Sequence, residues 1–146
     1  MPQLTFMISK GFTLIELLIT LAIVSILGVI AAPGYGQYLH TSHVKTAQGD
    51  LRILASLFEK RYQRVISYPT TTLANTAALE QVFPAFNPAS NKDTFTFSSL
   101  DASNLTYTIR ATGISGALSG CVISLNHSGA KSITNCDKIA DAGEWL

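Results

Sequence analysis

The spacing of apolar positions changes twice along this chain, and each change marks an element. From Phe12 to Ala32 they are nearly continuous, with Glu16 the one ionisable residue and Thr13, Thr20, Ser25 and Gly28 the other interruptions. A helix over such a stretch is roughly 30 Å long, the thickness of a bilayer's hydrocarbon core. Past Pro33 the pattern becomes one-sided. Val44, Ala47, Leu51, Leu54, Phe58, Tyr62 and Val65 recur at steps of three and four, which predicts an amphipathic helix over 35–66 with one buried face. Lys45, Asp50, Arg52, Glu59, Lys60, Arg61 and Arg64 fall outside that stripe and are expected on the solvated face. Tyr68-Pro69 stops the helix.

Between 67 and 93 no period holds. Thr, Asn, Ala and Pro dominate, Pro84 and Pro88 mark turns, and Thr76 to Phe83 has room for a turn or two of helix. The expectation is a long connecting loop that faces outward. The period then becomes two: Phe95 and Phe97, next Leu105, Tyr107, Ile109 and Ala111, and last Cys121, Ile123 and Leu125. Turns fall at Asp101–Asn104, Gly113–Gly120 and Asn126–Gly129. Three or four antiparallel strands within 94–146 would cover the helix stripe with one apolar face. The fold class is α+β, a long N-terminal helix packed on a small antiparallel sheet.

Composition sharpens this picture. A chain of 146 residues holds one ordinary domain. Ten basic against nine acidic residues leave a formal charge of +1, which argues against a generic basic nucleic-acid binder and an acidic disordered chain. Only 13% of residues are charged and 47% are hydrophobic, so part of the molecule does not face water. Two cysteines, Cys121 and Cys136, are too few for a disulfide-dense scaffold or a four-thiolate zinc site. His40 and His43 stand three apart on the helix, a spacing far commoner among exposed helix histidines than among metal ligands. There is no Gly-x-Ser-x-Gly, His-Glu-x-x-His or phosphate-binding glycine loop. Neither an enzyme nor a cofactor or metal site is expected.

The apolar segment admits three readings. A secretory signal peptide would place an uncharged core before a cut near Val29-Ile30-Ala31-Ala32, but a carboxylate within that core costs a few kcal/mol. A plain single-span anchor meets the same objection. In the third reading Glu16 is functional and finds a partner after the helix leaves the lipid.

The string Ser9-Lys10-Gly11-Phe12-Thr13-Leu14-Ile15-Glu16, followed by an apolar helix, resembles the processing site of type IV prepilins and type II secretion pseudopilins. The resemblance implies a leader peptide over 1–11, cut between Gly11 and Phe12 on the cytoplasmic side by a prepilin peptidase. Phe12 would then be N-methylated. Residues 12–34 would be kept as a transmembrane and filament-core helix, and 35–146 would form the globular head. Physical sense supports the pattern: glycine lets a protease approach the scissile backbone, and Glu16 lies about one helical turn beyond the new amine. In a staggered array its carboxylate would pair with a neighbour's terminal amine and set register. Pro33, at a point where the family often carries proline, is expected to kink or loosen the helix, or to end it ahead of a separate amphipathic helix.

The resemblance also sets compartment and partners. The chain would sit in the inner membrane with a single pass and its head outside the cytoplasm, then in an extracellular pilus filament. Its partners would be other pilin subunits, the prepilin peptidase and methyltransferase, the inner-membrane assembly platform, and DNA or a host surface. Thiols oxidise in such a compartment, so Cys121 and Cys136 are expected to pair, as the two C-terminal cysteines of type IVa pilins do. A bridge of that spacing is worth roughly 3 kcal/mol. Major secretion pseudopilins usually lack it, which favours a pilus.

The run from Cys121 to Lys131, closed by Asn135-Cys136, looks most like the end of minor pilins, although the tail Asp137–Leu146 is longer than expected there. The function implied is a structural subunit, minor or major, serving adhesion, twitching motility or DNA uptake. The alternatives are a secretion pseudopilin and a DNA-binding competence pilin. In the latter, Lys60, Arg61, Arg64 and Lys131 would contact phosphates, joined by Arg110 and Lys138 if they converge. The plain account of these cations is a solvated helix face with scattered lysines.

Overall fold

The computed structural model describes residues 11–90, 92–100, 102–136 and 145. Helix α1 runs over Leu14–Val65, and its backbone stays helical through Pro33, so the proline does not end the helix. The chain divides within α1 into two units, one up to Gly36 and one from Gln37. In the first, every large apolar side chain from Phe12 to Ile30 is more than half exposed. Such a face, apolar on all sides, cannot be buried by its own unit and calls for lipid or other helices. By length and apolarity Leu14–Ile30 qualifies as a membrane span only together with helical residues from Tyr35–Val65. At about 1.5 Å per residue it is about 25 Å long on its own, short of the ~30 Å hydrocarbon layer.

The second unit is the head. After α1 come α2 over Thr76–Val82, strands β1 over Phe95–Leu100 and β2 over Thr108–Gly113, a short 3-10 turn at Gly116–Leu118, then β3 over Val122–Asn126 and β4 over Lys131–Thr134. The sheet order is β1-β2-β3-β4, with every neighbouring pair antiparallel. The alternation in β2 and β3 puts Ile109, Ala111, Ile123 and Leu125 on one buried face. That face joins Val44, Ala47, Leu51, Leu54 and Phe58 of α1 in a single core. The long helix, the four-stranded antiparallel sheet and their shared apolar face are the architecture the sequence implied.

Five expectations change in detail. Helix α2 falls where Thr76 to Phe83 left room for a helix, but the stretch 67–93 does not simply face outward: Tyr68, Leu73, Leu79, Phe83 and Phe86 are all buried in the core. Apart from Leu79 in α2, these residues enter the core singly from irregular segments, so no period announces them. Asn75 starts α2 by accepting from the Ala78 N–H through its side chain, 2.9 Å. Leu105 lies outside β2 and is 65% exposed, because the Ser103 hydroxyl accepts from the Leu105 and Thr106 N–H groups and folds that segment into a turn. Val65, the last position of the predicted stripe, is 59% exposed, since α1 ends beyond the reach of the core.

Asp50 and Glu59, expected in solvent, both turn inward. Asp50 is 2% exposed, and its carboxylate accepts from the Ala89 N–H at 2.9 Å, the Ser90 N–H at 2.8 Å and the Ser90 hydroxyl. Glu59 is half-buried and accepts from the phenols of Tyr68 and Tyr107. Both flank the apolar stripe, where a polar side chain is buried if neighbours supply donors. Gly113 is required by contact: a β-carbon there would lie 2.0 Å from the Leu118 carbonyl oxygen.

Candidate functional site

The residues around the proposed cut site form a compact hydrogen-bonded group. Thr13 immediately precedes α1. Its hydroxyl and its N–H both donate to Glu16 Oε2, at 2.7 and 2.9 Å, and the Glu16 N–H donates back to the Thr13 hydroxyl at 3.3 Å. This reciprocal pair is a capping box, which satisfies helix N–H groups that would otherwise lack acceptors. Its signature, Thr-x-x-Glu, is plain in the sequence, yet Glu16 reads there first as a charge in an apolar run. Phe12 stands 85% exposed beside this cap, and Gly11, Phe12, Thr13 and Glu16 line one shallow recess.

At the other end of the chain, Cys121 and Cys136 are joined by a disulfide, with Cα atoms 4.6 Å apart and a sequence separation of 15. The bridge ties the segment after β4 to the start of β3, and both cysteines are buried. The tail from Asp137 lies outside the described residues except for Trp145, which packs against the core.

Residues 7–32 match the family described as "Prokaryotic N-terminal methylation motif". Over 87 residues the chain is 37% identical to a type IV major alpha-pilin of Moraxella bovis, a match covering 56% of the chain and 54% of that protein. Over 55 residues it is 46% identical to fimbrial protein Q of Moraxella bovis, covering 34% of the chain and 35% of that protein. The chain therefore spans about half the length, or less, of the curated relatives it matches. Over these stretches the chain is similar to type IV pilins.

In the structure the sequence-predicted cations separate into groups. Lys60, Arg61 and Arg64, near the end of α1, line one cleft together with Val82 to Ala85. Lys131 does not line it. Lys131 sits on β4 opposite Leu125, with its ammonium 5.3 Å from the centre of the Trp145 ring. Arg110 pairs with Ser98 and Ser124, on the sheet face opposite that of Ile109 and Leu125. Lys138 falls outside the described residues. Among the described residues no three His, Cys, Asp or Glu side chains are grouped to hold a metal ion.

The head also holds a polar knot that the sequence does not announce. Glu59 Oε1 accepts from Tyr68 Oη and Tyr107 Oη, each at 2.9 Å, and Oε2 accepts from Tyr68 at 3.0 Å. Burial pushes the Tyr68 phenol up to about 12, aided by its hydrogen bond to Glu59, and raises Tyr107 for the same reasons. Phe58 and Tyr107 pack at 4.6 Å, Tyr68 and Tyr107 at 4.8 Å. The carboxylate thus ties α1 to the segment after it and to the approach to β2.

Proposed function

We propose that this chain is a structural subunit of a type IV pilus, cut between Gly11 and Phe12, N-methylated at Phe12 and polymerised through its N-terminal helix. The observation that carries the reading is the methylation motif over 7–32, within which a helix begins at Leu14, capped by Thr13 and Glu16. A prepilin peptidase and methyltransferase would act at Gly11-Phe12. The exposed apolar side chains from Phe12 to Ile30 would hold the subunit in the inner membrane, head outside the cytoplasm, until an assembly platform passes them to other subunits. Glu16 would then pair with a neighbouring amine, since Oε1 is unused by the cap, and Pro33 would let the helix adjust to its neighbours.

The relatives' names, a major alpha-pilin and a fimbrial protein, support a filament subunit, and the disulfide of the head favours a pilus over a secretion pseudopilus. Adhesion, twitching motility and DNA uptake are the roles such a filament would serve. Mass spectrometry of the mature protein tests the reading: an N-methylated Phe12 is expected, and a chain starting near Pro33 would overturn it in favour of a signal peptide. Immunogold labelling of sheared filaments then separates a major subunit, labelled continuously, from a minor one, labelled sparsely.

A further inference from the structure

Two clefts adjoin at Arg61, and they differ in chemistry. The first, about 490 Å³, has walls of Leu57, Val65, Val82, Phe83 and Pro84, with Lys60 and Arg64 along it. The second, about 480 Å³, is bordered by Ser67, Thr70, Thr71 and Asn104. Arg61 and Val82 line both. Each is of a size that holds small molecules. No carboxylate lines either cleft, while Lys60, Arg61 and Arg64 are all exposed.

Apolar side chains stand out beside this cationic rim. Val65 is 59% exposed and Ile66 75% exposed. Ile66 has φ +54°, a left-handed conformation that β-branched residues avoid. Strain at an exposed apolar residue, beside an apolar cleft, points to a surface shaped for something other than the chain's own core.

We infer that the paired clefts bind an anionic lipid whose headgroup carries hydroxyls. Its acyl chain lies along Leu57, Val65 and Phe83, its anionic group meets Arg61 flanked by Lys60 and Arg64, and its hydroxyls reach Thr70, Thr71 and Asn104. Charge complementarity and the change from apolar to polar lining across one arginine select this ligand. A nucleic acid would engage the cations alone. It would leave the apolar wall unused, and Phe83, the one aromatic residue of the apolar cleft, is only 7% exposed and offers no platform for a base. Both clefts lie entirely within the head, so the site uses no residue of the N-terminal unit.

The test uses the full chain in phosphatidylcholine nanodiscs, titrated with water-soluble dihexanoyl phosphatidylglycerol while methyl and amide NMR signals are followed. Saturable shifts are expected at Val65, Val82 and Asn104. Binding should weaken about tenfold or more in Arg61→Gln and stay unchanged in Arg52→Gln, an exposed arginine of the same helix away from both clefts. Equal binding of dihexanoyl phosphatidylcholine, indifference to Arg61→Gln, or equal affinity for inorganic phosphate would overturn the proposal. Tighter binding of a short single-stranded oligonucleotide would replace it with a nucleic-acid site.

Discussion

Asp50 of α1 holds Ser90 by both backbone and side chain, across a sequence separation of 40. The carboxylate reaches Ser90 N–H at 2.8 Å and, through its other oxygen, Ala89 N–H at 2.9 Å. An amphipathic helix thereby fixes the turn that leads into β1, by charge-assisted hydrogen bonds rather than by apolar contact.

Replacing that carboxylate should be costly. Asp50→Ala leaves two N–H groups and a hydroxyl without an acceptor, and about 3 kcal/mol of stability should be lost. Arg52→Ala, one solvent-facing neighbour away, should change stability by less than about 0.5 kcal/mol. Urea unfolding of both variants provides the comparison, and hydrogen exchange should accelerate at Ala89 and Ser90 before it does in β2 and β3.

Glu16 carries two separable jobs, the cap that is visible and the register proposed for it. Glu16→Gln keeps an acceptor for Thr13 and so keeps the capping box, but it removes the charge. Membrane insertion should persist or improve, while incorporation into sheared filaments falls steeply. Thr13→Val should instead weaken the helix start by about 1 kcal/mol with a milder assembly defect. Normal filament yield from Glu16→Gln would leave the cap as its whole role.

The tyrosine pair sets an alkaline limit. The Tyr68 phenol titrates at about 12 in the folded head against about 10 when unfolded, so the folded state holds its proton more tightly. That stability is complete below pH ~10 and is lost as pH rises from ~10 towards ~12. Tyr68→Phe should flatten the decline, as thermal unfolding across that pH range would reveal, and absorbance titration should find at least two phenols ionising late.

The disulfide should matter locally before it matters globally. Cys136→Ser removes the tie between β3 and the segment after β4, at a cost of about 3 kcal/mol. Proteolysis should rise first after Thr134, while α1, β1 and β2 keep their protection, because most of their shared core is made by side chains other than the two cysteines. Two free thiols in protein taken directly from the cell envelope would contradict the bond.

Much of this fold was legible because its largest elements are periodic. Val44 to Phe58 and the alternations in β1, β2 and β3 each repeat one instruction several times, and repetition survives local noise. The misreadings share another cause. Asp50 and Glu59 sit on the flanks of the stripe, where burial depends on whether a distant Ser90 or Tyr107 supplies a donor, and no spacing encodes that. Leu73, Phe83 and Phe86 reach the core one by one from irregular segments, so the stretch looked like surface. For the cations, the cluster of Lys60, Arg61 and Arg64 follows from helical spacing. The apolar wall of Val82 to Ala85 facing them is a tertiary fact, and so is the position of Lys131 on another element.

The bridge also changes how the head yields to force. In the filament proposed here tension would pull on each subunit, and a head stretched from Gln37 to the C-terminus cannot pay out the chain enclosed between Cys121 and Cys136, fifteen positions apart. At about 3.5 Å per residue the oxidised head releases about 50 Å less contour than the reduced one when it opens. The β3–β4 hairpin therefore acts as a covalent stop, and a pulled head lengthens only through the chain outside the bridge.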